Sequence, residues 1–291
     1  MIAGLELGGT KCVAILGKGP NAIVARERVA TTDPAATLAA LEAILDRWHF
    51  DALGIAAFGP LDLDPGSECY GKVAATTKPG WSGTDLFGRL ARRYRVAVGI
   101  QTDVVGAALA EGRWGAAQGM ATHAYVTVGT GVGVGAIVNG RPAGGVAHGE
   151  AGHMRIARMT GDGFAGICPF HGDCVEGLIS GPAMATRAGG AGEAIAPDHP
   201  AWDDFVHDAA AMLHNLVLTL APARIAIGGG VVAARPELMG RMREALARSL
   251  AGYGLFGAYA AQLEARLGPP GLGDMAGPLG ALAVGLDALD A

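Results

Sequence analysis

Residues 5–19 read Leu-Glu-Leu-Gly-Gly-Thr-Lys-Cys-Val-Ala-Ile-Leu-Gly-Lys-Gly, and residues 126–140 read Val-Thr-Val-Gly-Thr-Gly-Val-Gly-Val-Gly-Ala-Ile-Val-Asn-Gly. Each is an apolar strand, a Gly/Thr turn and a second apolar strand, with turn glycines at matching offsets. One such hairpin in each half predicts a duplicated α/β fold: two domains with an intervening cleft. Apolar hairpins with glycine turns also resemble one another by chance, so the rest of the chain has to agree.

The flanking patterns do agree. Strands are expected at 2–7, 12–17 and 22–29. Leu38, Leu41, Ile44, Leu45 and Trp48 recur at helical spacing across 34–50, after Thr32 and Asp33 as candidate caps. Short strands at 53–57 and 96–101 follow, the second leading into an Ala-rich helix at 103–112. A Gly- and His-rich irregular region runs to about 176. Beyond it, helices are expected at 180–188, 203–220 and 236–251, strands at 224–227 and 263–267, and an Ala/Leu helix from about 275. The expected domains are residues 1–105, joined by a C-terminal helix at about 276–291, and residues 106–275.

Composition narrows the function. With 51% hydrophobic and 17% charged residues, the 291-residue chain can bury substantial cores. A net charge of −5 argues against nucleic acid as the main partner, since phosphate neutralisation needs a basic patch. No apolar run reaches spanning length, and Met1–Glu6 lacks a charged n-region, so a cytoplasmic protein without a membrane partner is expected. The cysteines are Cys12, Cys69, Cys168 and Cys174. In that compartment a Cys/His cluster reads better as a metal site than as a disulfide.

Three glycine turns each follow an apolar strand: Gly8-Gly9-Thr10-Lys11, Gly129-Thr130-Gly131-Val132-Gly133 and Gly228-Gly229-Gly230. Each offers backbone N–H groups with no side chain in the way, which suits phosphate oxygens. Neither the Walker A spacing nor a strand–helix dinucleotide fingerprint is present. Lys11 serves equally well as a phosphate partner or a solvated hairpin residue. Asp103, at a strand-to-helix junction, is either a helix cap or a candidate base. Cys168-Pro-Phe-His171-Gly-Asp-Cys174, with His153 fifteen positions before Cys168, supplies four N/S ligands. Such a set suits a closed tetrahedral Zn²⁺, which is structural by default.

In order and kind, Glu6-x-Gly8-Gly9-Thr10-Lys11, Asp103, Gly129-Thr130-Gly131 and Gly228-Gly229-Gly230 resemble the sugar kinase, actin and chaperone ATPase superfamily. Glu150-x-x-His153 with Cys168-x-x-His171-x-x-Cys174-x-Glu176-Gly177 narrows the resemblance to the ROK family and its bacterial fructokinase branch, over nearly the whole chain. The resemblance implies a duplicated actin-like (ribonuclease H-like) ATPase fold and an ATP-dependent hexose kinase acting on the 6-hydroxyl of fructose. Glucose, mannose or an N-acetylhexosamine are alternative acceptors within the family. It implies Asp103 as general base, Glu6 as the Mg²⁺ residue, and Gly8, Gly9, Thr10, Lys11, Thr130, Gly131 and Gly133 on the ATP phosphates. Gly228, Gly229 and Gly230 would lie near the nucleoside, and Asp103, Glu150, His153 and Glu176 around the sugar. His153, Cys168, His171 and Cys174 would hold structural Zn²⁺, and the protein would be a homodimer.

Lys78-Pro79-Gly80-Trp81 also resembles the fructokinase branch. Val105 departs from the family, where many members carry Asn, and this bears on which sugar is preferred. Two rivals weigh less. A zinc deaminase needs H-x-E followed by P-C-x-x-C; His148-Gly149-Glu150 fits, but Cys168 and Cys174 lie too far apart. A sugar-sensing regulator would carry a helix-turn-helix before the first hairpin, and this chain starts at that hairpin.

Overall fold

A computed structural model of the chain describes residues 1–190 and 195–290; position 291 of the expected C-terminal helix lies outside the described residues. The chain opens with strands β1 (Ile2–Leu7), β2 (Lys11–Gly17) and β3 (Ile23–Ala30), helix α1 (Pro34–Leu45), strand β4 (Ala52–Ala57), helix α2 (Leu86–Tyr94), strand β5 (Ala97–Thr102) and helix α3 (Asp103–Trp114). It continues through β6 (His123–Val128), β7 (Val132–Val138), β8 (Arg141–Pro142), α4 (Val175–Ile179), α5 (Gly181–Ala188), α6 (Ala201–Leu220) and β9 (Arg224–Gly228). Then come α7 (Gly230–Ala233), α8 (Leu238–Leu250), α9 (Phe256–Ala260), α10 (Leu263–Arg266), β10 (Leu267–Gly268) and α11 (Ala276–Leu289).

The doubled hairpin of the sequence is a doubled sheet topology. The first sheet has the order β3-β2-β1-β4-β5, and the second, read from its other end, β8-β7-β6-β9-β10. In the first, β2 is antiparallel to β1 and β3, while β4 and β5 run parallel to β1. In the second, β9 and β10 run parallel to β6, and β8 is antiparallel to β7. The interior strand β4, between β1 and β5, is buried at every position, as a parallel strand covered on both faces must be.

Two compact units emerge. One comprises Met1–Ala121, Gly135–Gly149 and Gly271–Ala291; the other comprises Thr122–Val134 and Glu150–Pro270. The first has a core of Leu5, Leu7, Leu53, Ile55 and Trp81. The second is built on Val126, Leu178, Phe205, Leu213 and Ile227. The expected boundary after Val105 therefore differs from the observed division. Helix α3 stays with the first unit because it crosses α11 at backbone contact: a Cβ on Gly280 would lie 2.4 Å from the Gly106 carbonyl carbon. A Cβ on Gly135 would lie 2.0 Å from the Val104 carbonyl oxygen, which brings the second half of β7 into the same unit. Glu111 on α3, 1% exposed, accepts from the N–H groups of Ala116, Gly271 and Leu272 at 2.7, 2.9 and 2.9 Å, fixing the segment that leads into α11.

The expected strand at 263–267 is largely helical. Leu263–Arg266 forms α10, and only Leu267–Gly268 pairs with β9. Leu, Glu, Ala and Arg are all strong helix formers, and that local preference prevails. Among the described residues, no helix is long and apolar enough to cross a membrane.

Candidate active site

In the first unit, the turn joining β1 to β2 has its carbonyls tied by hydrogen bonds. The Gly8 oxygen accepts from the Thr31 hydroxyl at 2.7 Å, the Thr10 oxygen from the Thr31 N–H at 3.0 Å, and the Gly9 oxygen from Lys78 Nζ. The Gly8 N–H closes the turn onto the Lys11 oxygen at 3.0 Å. Among the described residues, the N–H groups of Gly9 and Thr10 meet no partner. A turn with tied carbonyls and bare amides is an anion cradle.

Beside it lie two carboxylates. Asp103 is the first residue of α3, and its Oδ1 accepts from the Val104 N–H at 2.9 Å. The capping role belongs to its neighbour: the Thr102 hydroxyl accepts from the Val105 N–H at 3.3 Å. Glu6 is largely buried. Desolvation, then the charge of Asp103, raise its pKa from 4.5 to about 7, against smaller opposing effects of Lys11 and Arg28. Room for the Glu6 carboxylate exists because position 277 is glycine; a Cβ there would lie 2.0 Å from Glu6 Oε1. A buried carboxylate held near a second one, short of compensating charge, is what a cation site requires.

The sign of the Glu6 effect is testable. Its folded pKa lies above its unfolded value, so no stability is lost below pH 4.5. Stability falls as pH rises through about 7, the loss reaching about 3 kcal/mol at 1.36 kcal/mol per unit. Without divalent metal, Glu6→Gln is expected to raise unfolding stability by about this amount at pH 8 and by little at pH 4. Urea titrations at both pH values check this; a Gln variant no more stable at pH 8 contradicts it.

In the second unit, the β6–β7 turn repeats the arrangement. The Gly129 oxygen accepts from the Gly181 N–H at the start of α5 at 2.7 Å, and the Gly129 N–H donates to the Gly131 oxygen at 2.9 Å. The N–H groups of Thr130 and Gly131 meet no partner among the described residues. The Val132 N–H donates to Glu176 Oε2 at 3.0 Å, and a Cβ on Gly131 would lie 2.5 Å from that oxygen, so a side chain there would displace the Glu176 carboxylate.

Glu176 stands 4.0 Å from His153 Nε2, while the other nitrogen of that ring faces the cysteines. His153 Nδ1 lies 3.7 Å from Cys168 Sγ and 3.5 Å from Cys174 Sγ, and His171 Nδ1 lies 3.7 Å from Cys168 Sγ. With Zn–S near 2.3 Å and Zn–N near 2.0 Å, a tetrahedron has S–N edges of about 3.6 Å. The four donors all lie within 4.8 Å of one another and fit such an ion. Burial and the neighbouring Cys168 push the Cys174 thiol up to about 11, so a metal has to displace its proton. The predicted ligand set is thus brought together, and its histidine touches the predicted sugar residue Glu176.

Other predicted residues are placed less closely. Glu150 precedes the short helical turn Ala151–His153, whose Gly152 packs onto the Val132 carbonyl; a Cβ there would lie 1.8 Å from that oxygen. In the triple glycine, Gly229 has φ +93° and a Cβ would lie 2.4 Å from the Val128 oxygen, so the turn runs against β6. Gly133 follows Val132 within β7. Val105 is 4% exposed and packs into the interior.

Sequence reasoning missed the reach of Lys78 to Gly9, since a lone lysine in a loop carries no periodic signal. It also missed the ion pairs behind the metal loop. Asp173 pairs with Arg155 and Arg158, and Arg158 with Asp162 at 2.7 Å. A groove along α6 and α8, lined by Asp203, His207, Arg241, Glu244 and Arg248, shares no residue with either turn or the cluster.

Two sheets of one topology, each carrying a glycine turn with bare amides, define a duplicated α/β protein of the actin-like ATPase fold. The chain belongs to the ROK family, whose sequence model matches residues 2–287. It is 36% identical over 289 residues to a fructokinase of Pediococcus pentosaceus, covering 99% of each chain. To a fructokinase of Zymomonas mobilis subsp. mobilis it is 39% identical over an aligned length of 298, covering 98% of this chain and 96% of the other. Of solved structures, a ROK hexokinase from Thermus thermophilus is similar with a TM-score of 0.79 at 26% identity, covering 100% of this chain and 99% of that one.

Proposed function

We propose that the protein is a sugar kinase that transfers the γ-phosphate of ATP to the 6-hydroxyl of fructose. The observation that carries this reading is the pair of glycine turns with bare N–H groups, one accompanied by Asp103 and Glu6, the other by Glu176 and His153. The fructokinase relatives support the acceptor. Phosphoryl transfer needs placement and charge stabilisation more than covalent help. The N–H groups of Gly9, Thr10, Thr130 and Gly131 would bind phosphate oxygens, with Lys11 and Gly133 flanking them. Gly228, Gly229 and Gly230 would receive the nucleoside.

Asp103 would take the proton of the attacking hydroxyl. The cap of α3 is supplied by Thr102, so that role does not account for Asp103. Glu150, His153 and Glu176 would orient sugar hydroxyls. Mg²⁺ held at Glu6 would neutralise charge on the transferring phosphoryl group. Zn²⁺ at His153, Cys168, His171 and Cys174 would be structural, since the protein supplies all four ligands. The enzyme would act in the cytoplasm as a homodimer.

A coupled ADP-release assay across fructose, glucose, mannose and N-acetylated hexosamines tests the reading, with fructose expected to give the highest kcat/KM. Hexose-independent ADP release, or none, would count against it. Metal analysis should find about one zinc per chain, as one tetrahedral set predicts. Chelation should release that zinc and lower the Tm. Active, intact protein without zinc would remove the cluster from the account.

A further inference from the structure

We propose that Lys78 is a phosphate-binding residue of the first turn, tying the Gly9 carbonyl and lending its charge to a nucleotide bound at that turn. The proposal rests on the kinase reading for the identity of the ligand. Its observations are separate: the delivery of this side chain to the turn, and the donors it retains there.

Delivery is rigid. Trp81, three residues on, is wholly buried and donates from Nε1 to the Thr32 carbonyl at 2.9 Å. Its ring meets Phe58 edge-on with centroids 5.0 Å apart. The Lys78 N–H donates to the Thr76 hydroxyl at 3.3 Å, and Gly80, at φ +79°, turns the chain back towards Trp81. These anchors bring the ammonium to Gly9, 69 residues earlier in the chain, with the Phe58 ring 5.7 Å below it.

A charge is more than that contact needs. The turn's other carbonyls are held by a hydroxyl and an amide of Thr31, and a neutral donor would serve Gly9 as well. An ammonium has three donors; one goes to Gly9 and one side rests on an aromatic face. The remaining capacity lies at a turn whose Gly9 and Thr10 amides are bare. A cation on a turn with bare amides favours the more highly charged of two anions, so a di- or triphosphate should gain more from it than a monophosphate.

The test compares Lys78→Met, Lys78→Gln and Lys78→Arg. Calorimetry with ATP and with AMP, without sugar, reads binding; steady-state kinetics read KM for ATP and for hexose. Lys78→Met is expected to weaken ATP binding about 10- to 100-fold, as loss of a charge-assisted contact does, and AMP binding less than about threefold. Lys78→Gln restores a donor to Gly9 without charge and should recover little, whereas Lys78→Arg should recover most. KM for hexose and the Tm should stay near the wild-type values.

Recovery by Gln as complete as by Arg would overturn the proposal, leaving a neutral prop. So would equal losses for ATP and AMP, or a Tm that falls with the affinity. If the wild-type protein binds ATP but phosphorylates no hexose, the kinase reading fails and the binding series still decides Lys78. A wild-type protein that binds no ATP overturns both.

Discussion

An Asp103→Asn protein is expected to lose about 10²- to 10⁴-fold in kcat while ATP and hexose still bind within a few-fold of wild type. Asn keeps the size of the side chain and an oxygen to accept the Val104 N–H bond. It cannot accept a proton at neutral pH. Because Thr102 caps α3, the substitution should leave the Tm nearly unchanged. Loss of the Asp103 charge also relieves Glu6, whose pKa that charge helps to raise, so the Glu6 pKa should fall from about 7. Kinetics, binding and melting together separate the roles. Near-normal turnover would remove Asp103 as the base, and a collapse in Tm would make it structural.

The largest loss of stability is expected from Arg187→Met. The Arg187 side chain is 5% exposed and pairs with Asp208 at 3.1 Å, Asp204 at 3.0 Å and Asp162 at 3.4 Å, its guanidinium 4.7 Å above the Phe164 ring. Met fills much of the volume but leaves Asp208, itself 1% exposed, with the His207 ring at 3.2 Å and the more distant charge of Arg158. Removing one partner of a buried ion network costs about 3–5 kcal/mol. Asp162 also pairs with Arg158, which holds Asp173 in the loop between Cys168 and Cys174, so the zinc proposed there should be lost to a chelator faster. Urea unfolding measures the first effect and a metal-indicator dye the second. A loss below about 1 kcal/mol would show the network to be dispensable. Adding Asp208→Asn should recover part of the loss, because the stranded charge is gone.

Features carried by adjacent residues were legible in the sequence. The two hairpins announce themselves by strand alternation and glycine offsets, and their topology follows. Cys168, His171 and Cys174 lie on one short loop, so three of four candidate ligands are read by spacing alone, and His153 is fifteen positions away. Long-range pairings were not legible. Lys78 meets Gly9 across 69 residues, and Glu111 meets Gly271 across 160. Neither contact imposes a period or a composition on the chain. The close backbone packing inside the first unit was not legible for the same reason: the glycines at 106, 135 and 280 look like any others until three backbones meet. Asp103 shows the limit at single-residue scale, since only coordinates show that Thr102 takes the cap.

The central claim is that one phosphoryl group passes from ATP to one hydroxyl of a hexose. Its most direct test is phosphorus–proton correlation NMR on the purified product of protein, MgATP and D-fructose. ADP and a fructose monophosphate are expected in equal amounts, with phosphorus coupled to the two protons on carbon 6. Phosphate on another carbon would contradict the acceptor, and ADP formed without any sugar phosphate would contradict the claim itself.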